Sequence, residues 1–413
     1  MKGFFRLLTT SQVQQILQSF PELTHKQVAL SDALGRTVAC DILSPEDLPP
    51  FSRSTMDGYA VRAKDIFGAS ETEPALLKVI GEVQMGQDPG AGPLDVGEAV
   101  RIWTGGMLPK GADAVVMVEY TKEIDPSLIE IYKAAAPNDN VILKGEDCQK
   151  GQVCIKKGAR LRPQDLGLLA GLGVTKVQVI KRPKVAIIST GDEIVSENES
   201  ISIGKVRDIN STTLSALVCQ GGGIPVRLGI VKDSFDAIYQ RCKEALELGA
   251  DVILVSGGSS VGARDYTLKV FRNLSGSPPL VHGVAIRPGK PTIISRLGDK
   301  ALFGLPGHAA SCMVVYLLFV QYLLNIMLGL APDTGMEFKD VICGQMFPSV
   351  TGREDYVRVR LQREDNVDLP VAYPIYGKSG LISTLVAAQG LLKIPRDREG
   401  YHEGEEAEVM LLP

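Results

Sequence analysis

Hydrophobic and polar positions change their spacing several times along this chain, and each change predicts a different kind of element. One face of an amphipathic helix near the N-terminus carries Val13, Ile16, Leu17 and Phe20. Ser11 is the expected cap of this helix, since a serine oxygen can accept a hydrogen bond from the first turn. A short strand is expected at 36–42, and prolines at 45, 49 and 50 then predict a boundary.

Residues 49–142 follow a different pattern, with short β-like runs separated by glycine and proline turns. The expected strands are 75–83, 99–103 and 114–120. A helix is then expected at 163–171, which has proline in its first turn and glycine at its end. We therefore expect an inserted β domain at 49–142, within a discontinuous N-terminal domain made of residues 1–48 and 143–180.

Residues 181–330 alternate short apolar strands with helices, which is typical of a mostly parallel sheet with helices on both faces. The strands are expected at 184–189, 251–255 and 301–305, and the helices at 211–220, 234–248 and 309–328. Ligands of such sheets bind at the carboxyl ends of the strands, where the three loops that follow should meet.

Residues 331–413 return to a β pattern, because 356–361 alternates apolar with polar side chains and glycines mark the turns. The expected fold class is therefore multidomain α/β. A central three-layer α/β domain at 181–330 is joined by the discontinuous N-terminal domain, the inserted β domain and a C-terminal β-barrel-like or sandwich domain.

Composition narrows the location and the partners. The 413 residues carry a formal charge of −4 without a block of like charges, which argues against a nucleic-acid surface. The N-terminus does not resemble a signal peptide, so a cytoplasmic location is expected. The uncharged run 313–330 contains Gln321 and Asn325, and we expect a buried or subunit-interface helix there instead of a membrane span. The seven cysteines form no Cys-x-x-Cys pair, which favours free thiols.

The strongest candidate site is the glycine- and serine-rich loop that follows the expected strand 251–255. Such a loop leaves backbone N–H groups free to approach a phosphate or another oxyanion, and Asp265 could hold a cation against it. The residues assigned to the cradle are Ser256, Gly257, Gly258, Ser260 and Gly262.

Other candidates each have a plainer interpretation. Asp192 and Glu193 could hold Mg²⁺ or be surface carboxylates at a helix start. Asp208 could be a ligand, whereas Asn210 or Ser211 is the expected cap of the helix that follows, and capping alone explains Asn210. Arg287 and Lys290 suit an oxyanion but could form a solvated basic turn.

Two further positions also have a plainer interpretation. Asp57 lies beside a glycine in a loop and could be part of a simple turn. His308 is expected to be a loop or helix-cap residue instead of an acid–base catalyst, because no nucleophile motif accompanies it.

The order of these motifs resembles the molybdopterin molybdenumtransferase (MoeA) family, whose eukaryotic relatives include the gephyrin E domain. The matching segments cover essentially the whole chain: Ser54–Ala60, Arg101–Gly105, Gly145–Asp147, Ser189–Glu193, Ser256–Tyr266, Arg287–Pro291, Leu305–Gly307, Gly352–Arg353 and Ser379–Gly380. Each segment is modest evidence, and their joint order is highly specific.

The resemblance implies an elongated homodimer of four-domain chains, with an active site between the α/β domain and parts of the partner subunit. It implies that molybdate is inserted at the dithiolene sulfurs of adenylylated molybdopterin, with Mg²⁺ present and AMP released. Transfer of the pterin product to the adenylyltransferase partner or to apo-molybdoenzymes is a further expectation.

The resemblance also implies roles for individual residues. The cradle would bind the terminal phosphate, with Asp265 on Mg²⁺, and Arg287, Lys290, Arg353 and Ser379 would hold molybdate and stabilise developing charge. Pro306 belongs to a matching loop. Ligand positioning or metal coordination, without a choice between them, is implied for Asp57, Thr104, Asp147, Glu193 and Asp208, and metal binding is also considered for Asp192.

One departure from the family keeps a second hypothesis open. The family usually has Pro-Gly-Asn-Pro where this chain has Pro306-Gly307-His308-Ala309, so a stiffening proline is lost. The alternatives to a molybdenum transferase are a non-catalytic molybdopterin carrier or scaffold and a tungstate-specific insertase.

Overall fold

The computed structural model describes residues 7–90, 92–257, 266–365 and 367–413. The chain divides into two compact units: the first contains residues 1–26, 35–39 and 179–413, and the second contains 27–34 and 40–178. The four predicted domain ranges stay a prediction.

The first unit is built on a six-stranded sheet with the predicted α/β character. In spatial order its strands are Ile224–Val231, Lys184–Thr190, Val252–Ser256, Lys300–Leu305, Ile293–Leu297 and Val281–His282. The first four strands pair in parallel, and Ile293–Leu297 pairs antiparallel with both of its neighbours. The mostly parallel sheet expected from the sequence is therefore confirmed.

Helices cover both faces of this sheet, which explains why its central strands are apolar at nearly every position. Successive residues of one strand enter opposite cores: Val185 and Ile187 pack in one cluster, and Ala186 and Ile188 in the other. The helices of the unit are Thr10–Leu17, Asn210–Gln220, Phe235–Glu247, Tyr266–Ser275, Ala309–Val315, Gln321–Met327 and Ser383–Val386.

The apolar helix over 309–327 contains a π-helical turn at Tyr316–Val320 between its two α-helical parts. By length and composition it could cross a membrane, but 83% of its most apolar 18-residue window is buried inside the structure. Its side chains form part of the core on one face of the sheet. The helix thus has the burial expected of the interior of a folded domain.

The cap of the N-terminal helix lies two residues earlier than the sequence pattern suggested. Thr9, not Ser11, is the N-cap, and its side chain accepts a hydrogen bond from the backbone N–H of Gln12 at 3.2 Å. The Gln12 side-chain oxygen in turn accepts a hydrogen bond from the backbone N–H of Thr9, so the two residues form a capping box. Ser11 was the wrong choice because a threonine two residues upstream makes both bonds.

The C-terminal part of the first unit contains a closed five-stranded barrel. Its strands are Glu354–Gln362, Val371–Pro374, Phe338–Cys343, Glu406–Leu411 and Gly390–Ile394, and the last strand pairs again with the first. The strand Ile286–Arg287 pairs in parallel with Glu354–Gln362 and brings Arg287 beside Asp355. Two short strand pairs complete the unit, Ile194–Val195 with Val206–Arg207 and Phe347–Pro348 with Gly400–Tyr401.

The second unit contains the predicted β module as a six-stranded sheet. Its strands, in spatial order, are Ala114–Met117, Gly58–Val61, Glu98–Ile102, Ala75–Val83, Leu128–Ile131 and Thr121–Asp125. Short pairs join Arg53–Ser54 to Val141–Ile142 and Ile42–Leu43 to Val153–Ile155. The helix Pro163–Gly171 and three 3₁₀ turns, Leu30–Asp32, Ala63–Ile66 and Val118–Tyr120, are also present.

Two strand predictions differ from the structure. The strand expected at 36–42 is reduced to Ile42–Leu43 and an isolated bridge between Val38 and Val179, because the intervening residues form bends. The strand expected at 114–120 ends at Met117, where the chain enters a 3₁₀ turn. The strands His25–Ala29 and Lys176–Ile180 form a separate pair.

Candidate active-site clefts

The carboxyl ends of three neighbouring parallel strands meet in the first unit, as the sequence predicted. The backbone N–H of Gly257 donates to the carbonyl of Leu305 at 3.2 Å. Gly257 has a φ of +106°, and a Cβ there would lie 2.1 Å from the carbonyl oxygen of Thr190. Only glycine allows the backbones to approach this closely.

A cleft of about 700 Å³, here called the strand-end cleft, opens over these strand ends. Its lining includes Thr190, Gly191, Glu193, Asp208, Asn210, Asp233, Gly257, Pro306, Gly307, His308 and Gly380. Three of these residues are carboxylates, and the lining also includes the cation Arg207 and the apolar residues Ile194, Val206 and Ile209. The size of the cleft suits an organic ligand larger than a simple ion.

Asp208, and not Asn210, makes the hydrogen bond expected of a cap at the start of the helix Asn210–Gln220. Oδ1 of Asp208 accepts the backbone N–H of Ser211 at 3.0 Å, so Asp208 satisfies a donor in the first turn of the helix. Asn210 lies inside the helix, and its Nδ2 donates to the carbonyl of Gly307 at 2.8 Å. The capping prediction for Asn210 is therefore wrong, because its amide instead ties this helix to the loop after the strand Lys300–Leu305.

The rest of the predicted phosphate cradle is only partly within the described residues. Ser256 is buried, with its Oγ 3.4 Å from that of Ser189. The remaining assigned positions, Gly258, Ser260, Gly262 and Asp265, lie outside the described residues.

The carboxylates near the strand ends are candidate ligands for Mg²⁺. This ion keeps several waters and commonly uses one or two protein carboxylates together with substrate phosphates. Glu193 and Asp208 line the strand-end cleft. Asp192 is not among its lining residues, and its Oδ1 accepts the backbone N–H of Asp233 at 3.4 Å. Among the described residues, no group of three or more carboxylate, imidazole or thiol side chains could hold a metal alone. The donor set fits an ion shared with substrate phosphates.

A second cleft of about 630 Å³, here called the cationic cleft, adjoins the strand-end cleft, with Pro291 and Ser311 lining both. Five cationic side chains line it: Arg287, Lys290, Arg353, Arg358 and Lys378. Among the described residues that line it, Asp355 is the one acid. Because cations outnumber carboxylates, the cleft is suited to an anion.

Asp355 connects two of the predicted oxyanion ligands. Its Oδ1 lies 2.8 Å from Nε of Arg353, and its Oδ2 lies 3.3 Å from a terminal nitrogen of Arg287. The carboxylate is 2% exposed, whereas both guanidinium groups reach the cleft. One buried carboxylate therefore orients two arginines while their remaining N–H groups can reach a ligand.

The loop Arg287–Pro291 is held close to the helix Ala309–Val315. Gly289 has a φ of +116°, and a Cβ at this position would lie 2.7 Å from Cγ2 of Val315. The buried hydroxyl of Thr292 donates to the carbonyl of Gly289 at 2.7 Å. These contacts position Arg287 and Lys290 and distinguish the loop from a freely solvated basic turn.

Arg358 is a cleft residue that the sequence pattern did not identify. Its guanidinium donates to the carbonyl of Gly377 at 2.7 Å and to Oγ1 of Thr384 at 3.1 Å, both of them neutral acceptors. Burial lowers the pKa of Arg358, and the positive charge of Arg287 lowers it further. In the sequence Arg358 was simply a polar position in an alternating strand, and closure of the barrel gives it this environment.

The second unit contains Asp57, Thr104 and Asp147. Oδ1 of Asp57 accepts hydrogen bonds from the backbone N–H and the hydroxyl of Thr104, both at 2.7 Å. The backbone bond, followed by the hydroxyl bond, lowers the pKa of Asp57. Asp147 is exposed, and its backbone N–H donates to the carbonyl of Leu48 at 3.0 Å. The structure thus joins Asp57 to Thr104 as a surface carboxylate–hydroxyl pair.

Three sequence profiles match the chain in succession. Residues 8–173 match the MoeA N-terminal region (domain I and II), 186–325 match a probable molybdopterin binding domain, and 340–412 match the MoeA C-terminal region (domain IV).

Individual relatives cover nearly the whole chain. A putative molybdopterin biosynthesis protein of Methanocaldococcus jannaschii is 38% identical over 94% of this chain and 92% of its own length. The molybdopterin molybdenumtransferase of Bacillus subtilis is 34% identical over 93% and 89%. The crystal structure of a molybdopterin biosynthesis MoeA protein from Pyrococcus horikoshii OT3 has a TM-score of 0.83 at 32% identity, covering 98% of this chain and 100% of that one.

Proposed function

Since this chain belongs to the MoeA family, we propose that it is a molybdopterin molybdenumtransferase that inserts molybdenum into adenylylated molybdopterin. In this reaction molybdate is the metal source, and cleavage of the phosphoanhydride releases AMP. The observation that carries the proposal is the adjacency, within one unit, of a strand-end cleft suited to a phosphorylated ligand and a cationic cleft suited to an oxyanion.

The cationic cleft supplies the groups that the molybdate step needs. Arg287 and Arg353 offer planar N–H donors, and Lys290 adds a compact charge. Asp355 holds the two arginines in place before a ligand arrives, which reduces the reorganisation needed on binding. The hydroxyl of Ser379 adds a neutral donor at the edge of the cleft.

The strand-end cleft would bind the phosphorylated part of the substrate. The glycine- and serine-rich loop that follows Val252–Ser256 would supply backbone N–H groups to a phosphate, and Glu193 and Asp208, which line the cleft, could share Mg²⁺ with it. Bound Mg²⁺ would neutralise phosphate charge during cleavage of the anhydride. The dithiolene sulfurs belong to the substrate, so the reaction requires no protein thiolate.

The remaining expectations from the sequence are part of the same proposal. We propose a cytoplasmic homodimer in which Asp57, Thr104 and Asp147 help to position the substrate, and in which the product passes to the adenylyltransferase partner or to apo-molybdoenzymes. Light scattering tests the dimer, since a stable monomer would remove that part of the proposal.

The deciding experiment measures AMP released from adenylylated molybdopterin with Mg²⁺, with and without molybdate. We expect release that depends on molybdate and exceeds one AMP per chain. Arg353→Ala should slow it by on the order of a hundredfold, because a charge-assisted contact to the anion is lost. Arg360→Ala, an exposed arginine change on the strand that follows Arg353, is the matched control and should leave the rate unchanged.

Other outcomes would identify the alternatives. Tight binding of the pterin without AMP release would favour a carrier or scaffold. Preferential incorporation of tungsten when molybdate and tungstate compete at limiting concentration would favour a tungstate-specific insertase.

A further inference from the structure

His308 and Ser379 are joined by a side-chain hydrogen bond where the two clefts adjoin. Nδ1 of the imidazole lies 2.8 Å from Oγ of Ser379. His308 lines the strand-end cleft, whereas Ser379 lines the cationic cleft. A single bond thus links a wall of one cleft to a donor in the other.

The backbones that carry this pair are fixed at the start of the helix Ala309–Val315. The N–H of Ala310 donates to the carbonyl of Ser379 at 3.0 Å, and the N–H of Cys312 donates to the carbonyl of His308 at 2.9 Å. The imidazole ring also lies close to Gly380: a Cβ built on this glycine would be 3.7 Å from Cδ2 of the ring. Both side chains therefore extend from anchored positions.

The imidazole is not used to cap the helix that it precedes. His308 occupies the N-cap position with φ −71° and ψ 129°, yet its side chain makes no capping hydrogen bond. His308 therefore stands at the capping position, as the sequence suggested, but its side chain does not act as a cap. Its side chain is directed to Ser379.

The chemistry of the pair follows from the single hydrogen on a serine hydroxyl. If Nδ1 accepted this hydrogen, the lone pairs of the serine oxygen would face a bound anion and repel it. If Nδ1 carries a proton, it donates to Oγ and leaves the hydroxyl hydrogen available to the anion. An oxyanion in the cationic cleft therefore favours the second arrangement.

We propose that His308 is a positioning residue for the cationic cleft: its Nδ1–H holds the oxygen of Ser379 so that the serine hydroxyl donates to the bound oxyanion. This inference rests on the proposed function, since it takes the oxyanion to be molybdate. In this role His308 orients the Ser379 hydroxyl, which donates a hydrogen bond to molybdate. His308 takes no part in proton transfer.

The test is a double-mutant cycle measured by equilibrium dialysis of molybdate against the full chain. His308→Leu removes the polar atoms of the side chain. His308→Asn introduces a side chain of nearly the same shape as leucine but with an N–H donor. We expect His308→Leu to weaken molybdate binding by about three- to tenfold, the value of a neutral hydrogen bond, and His308→Asn to restore most of it. In a Ser379→Ala background the same two substitutions should have equal affinities within about twofold.

Each outcome separates this inference from the function on which it rests. Equal affinity of the wild type and His308→Leu, or a loss that persists in the Ser379→Ala background, would overturn the role of His308 while leaving molybdate binding intact. Failure of the wild type to bind molybdate, or binding that Arg353→Ala does not weaken, would instead defeat the proposed function. His402→Ala, an exposed histidine change outside both clefts, should bind as the wild type does.

Discussion

The guanidinium of Arg353 and the carboxylate of Asp355 form a 2.8 Å ion pair in which the acid is buried and the base reaches a cleft. Arg353 lies in the bend just before the strand Glu354–Gln362, and Asp355 is the second residue of that strand. Asp355 also contacts Arg287, which comes from a separate strand. The carboxylate therefore holds the barrel to the loop that supplies the other cations.

Asp355→Asn should lower the free energy of unfolding by about 1–2 kcal/mol, because the amide keeps the shape but loses two charge-assisted contacts. The loss stays moderate since the side chains of Arg287 and Arg353 are 62% and 34% exposed and can turn to water. Urea denaturation measures the change, with the exposed Asp397→Asn as the control. An unchanged unfolding midpoint in Asp355→Asn would contradict this account.

Arg358→Met should weaken molybdate binding by about tenfold, because it removes a cation from the cleft and two hydrogen bonds, to Gly377 and Thr384, that hold the chain on either side of Ser379. Equilibrium dialysis at low salt measures the affinity. Arg360→Met, on the same strand but exposed, is the control and should bind normally. Equal weakening by both substitutions would show a general effect of charge and not the contacts of Arg358.

Gly257→Ala should lower the free energy of unfolding by more than about 3 kcal/mol, because it combines a positive φ with a clash against the carbonyl of Thr190. Gly298→Ala separates the two causes. Gly298 also has a positive φ, +59°, but nothing lies within 4 Å of its Cβ position, so only the cost of the left-handed conformation, about 1–2 kcal/mol, is expected. Similar losses in both variants by thermal or urea unfolding would refute the close approach at Gly257.

Thr104→Val should raise the pKa of Asp57 toward its ordinary value without reaching it, because the backbone bond from residue 104 remains. A depressed pKa in the folded state stabilises the fold above the unfolded-state pKa, and this contribution disappears as pH falls through the folded-state pKa. Carboxyl ¹³C NMR titration measures the shift. Asp125, whose pKa is lowered by bonds from Ser127, is the internal control and should not move.

Local patterns predicted the secondary structure best where a run of residues is uniformly apolar. Strands buried on both faces are continuous apolar segments, so Val252–Ser256 could be located within one residue. Helix ends were less predictable, because several polar residues near a helix start can make the same bond. Thr9 makes the capping hydrogen bond that was predicted for Ser11, and Asp208 makes the one that was predicted for Asn210 or Ser211.

The apolar strand runs and the helices between them were enough to predict the α/β class and the convergence of three loops at the strand ends, because parallel strands share one carboxyl edge. The loop 287–291 predicted Arg287 and Lys290 as cations of one candidate site, and the family resemblance added Arg353. Tertiary structure alone decided which groups orient them: Asp355 between two arginines, and His308 bonded to Ser379 across 71 positions. Such contacts depend on barrel closure and on the approach of distant loops, which no local periodicity encodes.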